Sequence, residues 1–257
     1  MTTLKHTVYL TRRLLRNLMR QPWYIAFMLF QPMIYLLLFS SLFKRVVEIP
    51  GFHSKSYITY LAPGIVIMSA LFGAGWSGMG VITDLDRGVL DRFLVAPTSR
   101  VALILSRLLS GAVTTLIQSA IIIVIAFLVG ARFDGGVLGV IVLLISGVML
   151  AAPFAALSIG MSLLARKEES VIAAVNFVLL PLTFLSSVFI AQNLMPHWMQ
   201  TLARFNPVNW AVAAARDAVI GNADWGSVAV RLAYLVILAV ICSWLANRAF
   251  RTYQRSV

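Results

Sequence analysis

GVLGVIVLLISGVMLAAPFAALSIGMSLL, residues 136–164, runs its whole length without a charged side chain. A helix rises 1.5 Å per residue and a bilayer's hydrocarbon core is about 30 Å thick, so about 20 apolar residues suffice to cross it. This stretch crosses with residues to spare. Five more stretches of comparable character lie at roughly 23–43, 57–82, 103–130, 170–191 and 228–247. Together they predict an all-α, polytopic membrane protein with six transmembrane helices. Composition agrees: 60% of the 257 residues are hydrophobic and 12% are charged, against the roughly 25% charged residues of a soluble domain. Mean hydropathy is +0.90. No soluble domain fits in what is left, and residues 1–257 read as a single transmembrane domain.

The formal charge of +12 would suit nucleic acid in a soluble chain, but here the basic residues fall between apolar runs and not in a stripe. No nucleic-acid partner is expected. Lys5, Arg12, Arg13, Arg16, Arg20, Arg87, Arg92, Arg100, Arg107, Arg166, Lys167, Arg248, Arg251 and Arg255 fall on one side of the spans. The other side keeps about half as many, among them Lys44, Arg45, Lys55, Arg132, Arg204, Arg216 and Arg231. The positive-inside rule makes the richer side cytoplasmic, with both termini inside. Lys44 and Arg45 oppose this locally. The first apolar run begins at Trp23 and is followed by no small-residue cleavage pattern, so it reads as a retained helix. Cys242, the single cysteine, lies in an apolar run and offers no disulfide framework.

At 100° per residue, Leu4, Val8, Leu10, Leu14, Leu15, Leu18 and Met19 gather on one broad arc, and Lys5, Arg12, Arg13, Arg16 and Arg20 on the opposite one. Residues 1–22 are therefore expected to form an interfacial helix on the cytoplasmic leaflet, its cations turned to lipid headgroups or to a partner. Between the second and third spans, residues 83–100 read TDLDRGVLDRFLVAPTSR. Thr83 and Asp86 have capping-box spacing, and Asp84 and Asp86 suit a helix N-terminus. Leu90, Phe93 and Leu94 recur at helical spacing, and Pro97 stops the run. The expectation is a short helix beginning near Thr83, with Asp86, Arg87, Asp91 and Arg92 open to water or a partner. Residues 192–227 are too polar to span and too apolar for a linker, and suggest short helices at or dipping into the outer interface.

The spans hold almost no acidic residues, whereas an ion-coupled transporter usually carries ionisable groups near the midplane. Gln118 and Asn176 are the main polar side chains at depth, each suited to bonding a neighbouring helix. Ala70, Gly73, Ala74, Ser77 and Gly78 allow close helix approach in the second span, and Pro63, Pro153 and Pro181 are potential kinks. His6, His53 and His197 show no metal-binding spacing. There is no G-x-x-x-x-G-K-[ST] loop, so this chain is not expected to bind ATP or catalyse its hydrolysis unaided, and no cofactor is expected.

Residues 86–100, from Asp86-Arg87-Gly88 to Ala96-Pro97-Thr98-Ser99-Arg100, resemble the cytoplasmic loop of type-two ABC (ABC-2) exporter permeases. So does Leu194-Met195-Pro196-His197-Trp198, followed by Phe205-Asn206-Pro207-Val208-Asn209-Trp210 and Arg216, which is similar to that family's outer segment before the last span. Val89 stands where threonine is common, and Asp91 where glutamate is. The resemblance covers nearly the whole chain. It implies a permease that pairs with a second copy or a paralogue and with soluble ABC ATPase subunits, moving a drug, lipid or lipid-linked glycan across a plasma membrane. It further implies ATPase-coupling residues Asp84, Asp86, Arg87, Gly88, Asp91, Arg92, Pro97 and Arg100, braced by Arg12, Arg13, Arg16 and Arg20 of the N-terminal helix. Spans one, two and five would line the path and the dimer interface. The competing readings are an ion-coupled transporter or channel, which the missing midplane charges disfavour, and a membrane scaffold, which needs no such loop.

Overall fold

A computed structural model describes residues 2–48, 54, 56–88, 100–165, 167–221 and 223–254. The described chain is helical almost throughout: α1 (Thr2–Met19), α2 (Pro22–Leu42), α3 (Tyr57–Gly75), α4 (Met79–Asp86), α5 (Arg100–Val129), α6 (Gly136–Ala165), α7 (Glu168–Phe184), α8 (His197–Phe205), α9 (Pro207–Ile220) and α10 (Trp225–Gln254). A 3-10 turn, Trp76–Gly78, joins α3 to α4, so the two form one helical rod over Tyr57–Asp86.

Five described segments are long and apolar enough to cross a membrane: Ile25–Leu42, Tyr57–Asp86, Leu105–Val129, Gly136–Ala165 and Trp225–Arg248. The sixth stretch, expected at 170–191, differs. Its helix covers 17 residues and stops at Phe184, a length of about 26 Å at 1.5 Å per residue. The cause is a side chain distant in sequence. Asn206 Nδ2 donates to the carbonyls of Leu182 (2.6 Å) and Leu185 (2.9 Å), which a longer helix would have used internally. Residues 185–190 turn instead of continuing.

Packing is organised around α3 and α6. Nearly every residue of α3 is buried, and α6 runs against α3, α5, α9 and α10. Small residues permit this. A Cβ at Gly78 would fall 2.5 Å from the Ser158 carbonyl oxygen, so only glycine lets the rod lie this close to α6. The Gly78 amide donates to Ser158 Oγ at 3.0 Å, and that hydroxyl in turn donates to the Gly75 carbonyl. Pro63, Pro153 and Pro181 lie inside α3, α6 and α7.

By contrast, α2 and α7 are peripheral. Phe27, Phe30, Leu37 and Leu38 of α2 and Phe177, Leu180 and Phe184 of α7 are exposed. Of α7, only Val171, Val175, Leu179 and Thr183, spaced four apart, are buried. Each of these helices thus offers one face to this chain and leaves the other bare.

Candidate functional site at the two ends of the bundle

The α3–α4 rod ends at the segment that sequence reading singled out, but with the polarity reversed. Thr83 does not begin a helix: it lies inside α4, its hydroxyl donating back to the Met79 carbonyl at 3.1 Å. Extending an existing helix adds a hydrogen bond for each residue fixed, whereas a new helix must first be nucleated, so the rod continues through Thr83. It ends where Gly88 adopts φ +60°, the left-handed conformation usual after a helix C-terminus. Nothing lies within 4 Å of a Cβ built at Gly88, so backbone preference alone selects glycine.

Asp84 and Asp86 therefore sit at the negative end of a helix dipole, where carboxylates are unfavourable. Asp84 is compensated: Arg107 Nη2 of α5 donates to its Oδ2 and approaches the Gly80 carbonyl at 3.5 Å. Its side chain is consequently turned toward α5 and is only partly open to water. Asp86 and Arg87 are exposed. Asp91, Arg92 and Pro97 lie outside the described residues, and Arg100 opens α5.

Helix α1 lies along α5, with Thr7 buried and the Thr11 hydroxyl 3.5 Å from the Ser106 carbonyl. The single apolar arc expected there splits in two. Leu10, Leu14, Leu15 and Leu18 are half-buried, whereas Leu4, Val8 and Met19 are exposed. The helix wheel gives the reason: 4, 8 and 19 form a stripe between the packed face and Arg12 and Arg16. Arg12, Arg13, Arg16 and Arg20 are all exposed. Apolar stripe beside cations is the pattern of a helix at a headgroup boundary.

At the other end, α9 folds back into the bundle against α3 and α6. Arg216, which the sequence offered only as one of the outer cations and part of a motif, is buried. Its Nε donates to the Tyr60 carbonyl (3.2 Å) and its Nη2 to the Ser187 carbonyl (2.8 Å), and the guanidinium lies 3.6 Å from the centre of the Tyr60 ring. A guanidinium remains charged even when buried. The Tyr60 and Tyr57 hydroxyls donate to the carbonyls of Ser187 (3.1 Å) and Phe189 (3.0 Å). Asn209 Oδ1 accepts from the Ser187 amide at 3.1 Å. The carbonyls of Leu185, Ser187, Val188 and Phe189 in the irregular stretch after α7 are thereby satisfied, as backbone away from water requires.

Of the two amides noted at depth, Gln118 reaches across to α2, its Nε2 3.2 Å from Met28 Sδ. Asn176 does not cross to a neighbour; its Nδ2 donates to the Ile172 carbonyl of its own helix at 3.0 Å. Among the described residues there is no group of three His, Cys, Asp or Glu side chains able to hold a metal ion.

The family model described as ABC-2 type transporter matches residues 5–220. A daunorubicin resistance ABC transporter permease protein of Streptomyces coeruleorubidus is 30% identical over 86% of this chain and 77% of its own length. A putative transport permease of Porphyra purpurea is 29% identical over 84% of this chain and 74% of its own. An inner membrane transport permease of Escherichia coli K12 is 25% identical over 84% and 86%. The match takes in α1, the α3–α4 rod and the buried Arg216 alike, and the chain belongs to the ABC-2 type transporter family, as a multi-pass permease subunit of an ABC exporter.

Proposed function

We propose that this chain is one half of a permease pair, driven by soluble ABC ATPase subunits that dock on its cytoplasmic end. The docking surface is the exposed tip of the α3–α4 rod at Asp86, Arg87 and Gly88, the following residues Asp91, Arg92, Pro97 and Arg100, and the cationic face of α1. The observation that carries this reading is the Asp84–Arg107 bridge. It ties the rod to α5, so that a force applied to residues 87–100 reaches two long helices together. A contact that links both helices yet can be exchanged is what coupling between two states of the permease requires. ATP is bound and hydrolysed on the partner chain, since no phosphate-cradling loop occurs here.

The bare faces of α2 and α7 support pairing with a second copy or a paralogue through these helices, with the rod beside the path. The membrane is the plasma (cytoplasmic) membrane with both termini inside, supported by the distribution of Lys and Arg and by the inner-membrane relative. The cargo is an amphipathic drug, lipid or lipid-linked glycan moved outward from the cytoplasm or inner leaflet, and the drug-resistance relatives favour the first of these.

Asp86→Arg and Arg92→Glu test the docking surface. Each sets like charges against the partner, which costs several kcal/mol at an interface, whereas in a free loop such changes stay within about 0.5 kcal/mol. Both variants are expected at wild-type abundance in the membrane, with ATPase co-purification and transport lost. Normal co-purification and transport by both would remove the coupling role.

A further inference from the structure

Two cavities open on the same flank of the protomer. One of about 400 Å³ lies between α2 and α3, and a second of about 180 Å³ lies between α3, α5 and α6. Met28, Gly73, Trp76 and Gln118 line both, so they are chambers of one cleft with these four residues at its neck. The outer chamber is walled by Phe27, Phe72 and Met79, and the inner one carries the hydroxyls of Ser77, Thr114 and Thr115.

Gln118 at the neck is 3% exposed. Among the described residues its amide makes a single hydrogen bond, to the Met28 thioether, and a thioether is a weak acceptor. A buried primary amide so poorly matched is costly to leave unpaired, and this one borders space large enough for a guest. Gly73 supplies that space: a Cβ there would meet nothing nearer than Gln118 Oε1, at 3.4 Å. Charge also restricts the guest. The only ionic side chain among the described lining residues is Arg107 on the floor, already engaged by Asp84.

We propose that the α2–α3–α5 cleft of each protomer binds an uncharged aromatic amphiphile. Its ring lies against Trp76 and Phe72, and a carbonyl or amide group on it pairs with the Gln118 side chain. Aromatic and thioether walls favour a flat polarisable body, an amide at the neck favours one hydrogen-bonding group, and the absence of a free counter-charge excludes ions. The site rests on the exporter reading only for what becomes of the bound molecule, because binding itself involves neither the ATPase nor a second copy.

Photolabelling tests this with the full-length permease in lipid nanodiscs and benzophenone-4-carboxamide as probe. Labelling is expected to be saturable, to be displaced by non-photoreactive biphenyl-4-carboxamide, and to concentrate on peptides containing Met28 and Trp76. Benzophenone-4-carboxylate is expected to label those peptides at least tenfold less. Gln118→Leu removes the amide and Gly73→Leu fills the cleft, and each should cut labelling there at least fivefold while leaving lipid-facing α10 unchanged. Displacement in the unmodified protein gives a reading that no folding defect of a variant affects. Labelling that does not saturate and spreads evenly over lipid-facing helices would overturn the proposal, as would full labelling of both variants. ATPase co-purification, measured on the same preparations, reports on the docking surface separately.

Discussion

The α4 end and the α9 end of the bundle, inner and outer on the proposed orientation, both place an arginine against α3 or its extension, and they use it differently. Arg107 meets one carboxylate and, more distantly, the Gly80 carbonyl, with side-chain exposures of 16% for the arginine and 27% for the aspartate, so water competes and the bridge can be exchanged. Arg216 is held by three carbonyls and a tyrosine face. No single partner can leave and release it. A cation satisfied by carbonyls from two chain segments fixes those segments to one another, whereas a cation satisfied by one carboxylate makes a joint. The α4 end is therefore held by an exchangeable contact and the α9 end by a fixed one.

The strongest way to break this contrast is at Arg216. Arg216→Met keeps the bulk, removes the cation and leaves several buried carbonyls short of a donor; hydrogen bonds to charged groups contribute about 1.5–3 kcal/mol each, so a loss of about 3 kcal/mol is expected. Thermal unfolding in detergent should show it, with Arg216→Lys recovering only part because an ammonium lacks the planar fork. Stability unchanged in Arg216→Met would make the outer network decorative.

Glycines at the two ends give a smaller and sharper comparison. A Cβ at Gly64 would meet the Val188 carbonyl oxygen at 2.6 Å, and the atom is backbone that Arg216 already holds in place. Gly64→Ala should cost about 2 kcal/mol through overpacking. Gly88→Ala meets no atom and should cost about 1 kcal/mol through its positive φ alone. Equal losses in denaturant or heat would mean that the inner end is as tightly packed as the outer one.

The least effect on stability is expected at the inner bridge. Asp84→Asn or Arg107→Gln should cost about 1 kcal/mol or less, as partly hydrated pairs do, while lowering transport more than abundance. The exchanged pair Asp84→Arg with Arg107→Asp should recover part of the lost transport, and a double-mutant cycle measures the coupling. Additive losses with no recovery would show that the two residues act separately.

Hydropathy made the membrane-spanning character legible because it is a property of consecutive residues, readable without knowing what any of them touches. The amphipathic N-terminal helix was legible for the same reason, whereas Gly88, read as lying within a helix that starts near Thr83, instead ends the rod in a left-handed conformation. The errors came where a distant residue overruled local signals. Thr83 and Asp86 spell a helix start, yet the preceding span simply propagated through them, and Arg107, distant in sequence, relieved the carboxylate at the wrong end of the dipole. The apolar run to residue 191 spells one continuous span, yet Asn206 took the carbonyls that would have carried the helix past Phe184. Arg216 looked like an outer topology charge and Gln118 like a lone packing amide. Only the fold set one in a cage of carbonyls and the other at the neck of a cleft, because burial and hydrogen bonding depend on which segments meet, and one-dimensional patterns do not record that.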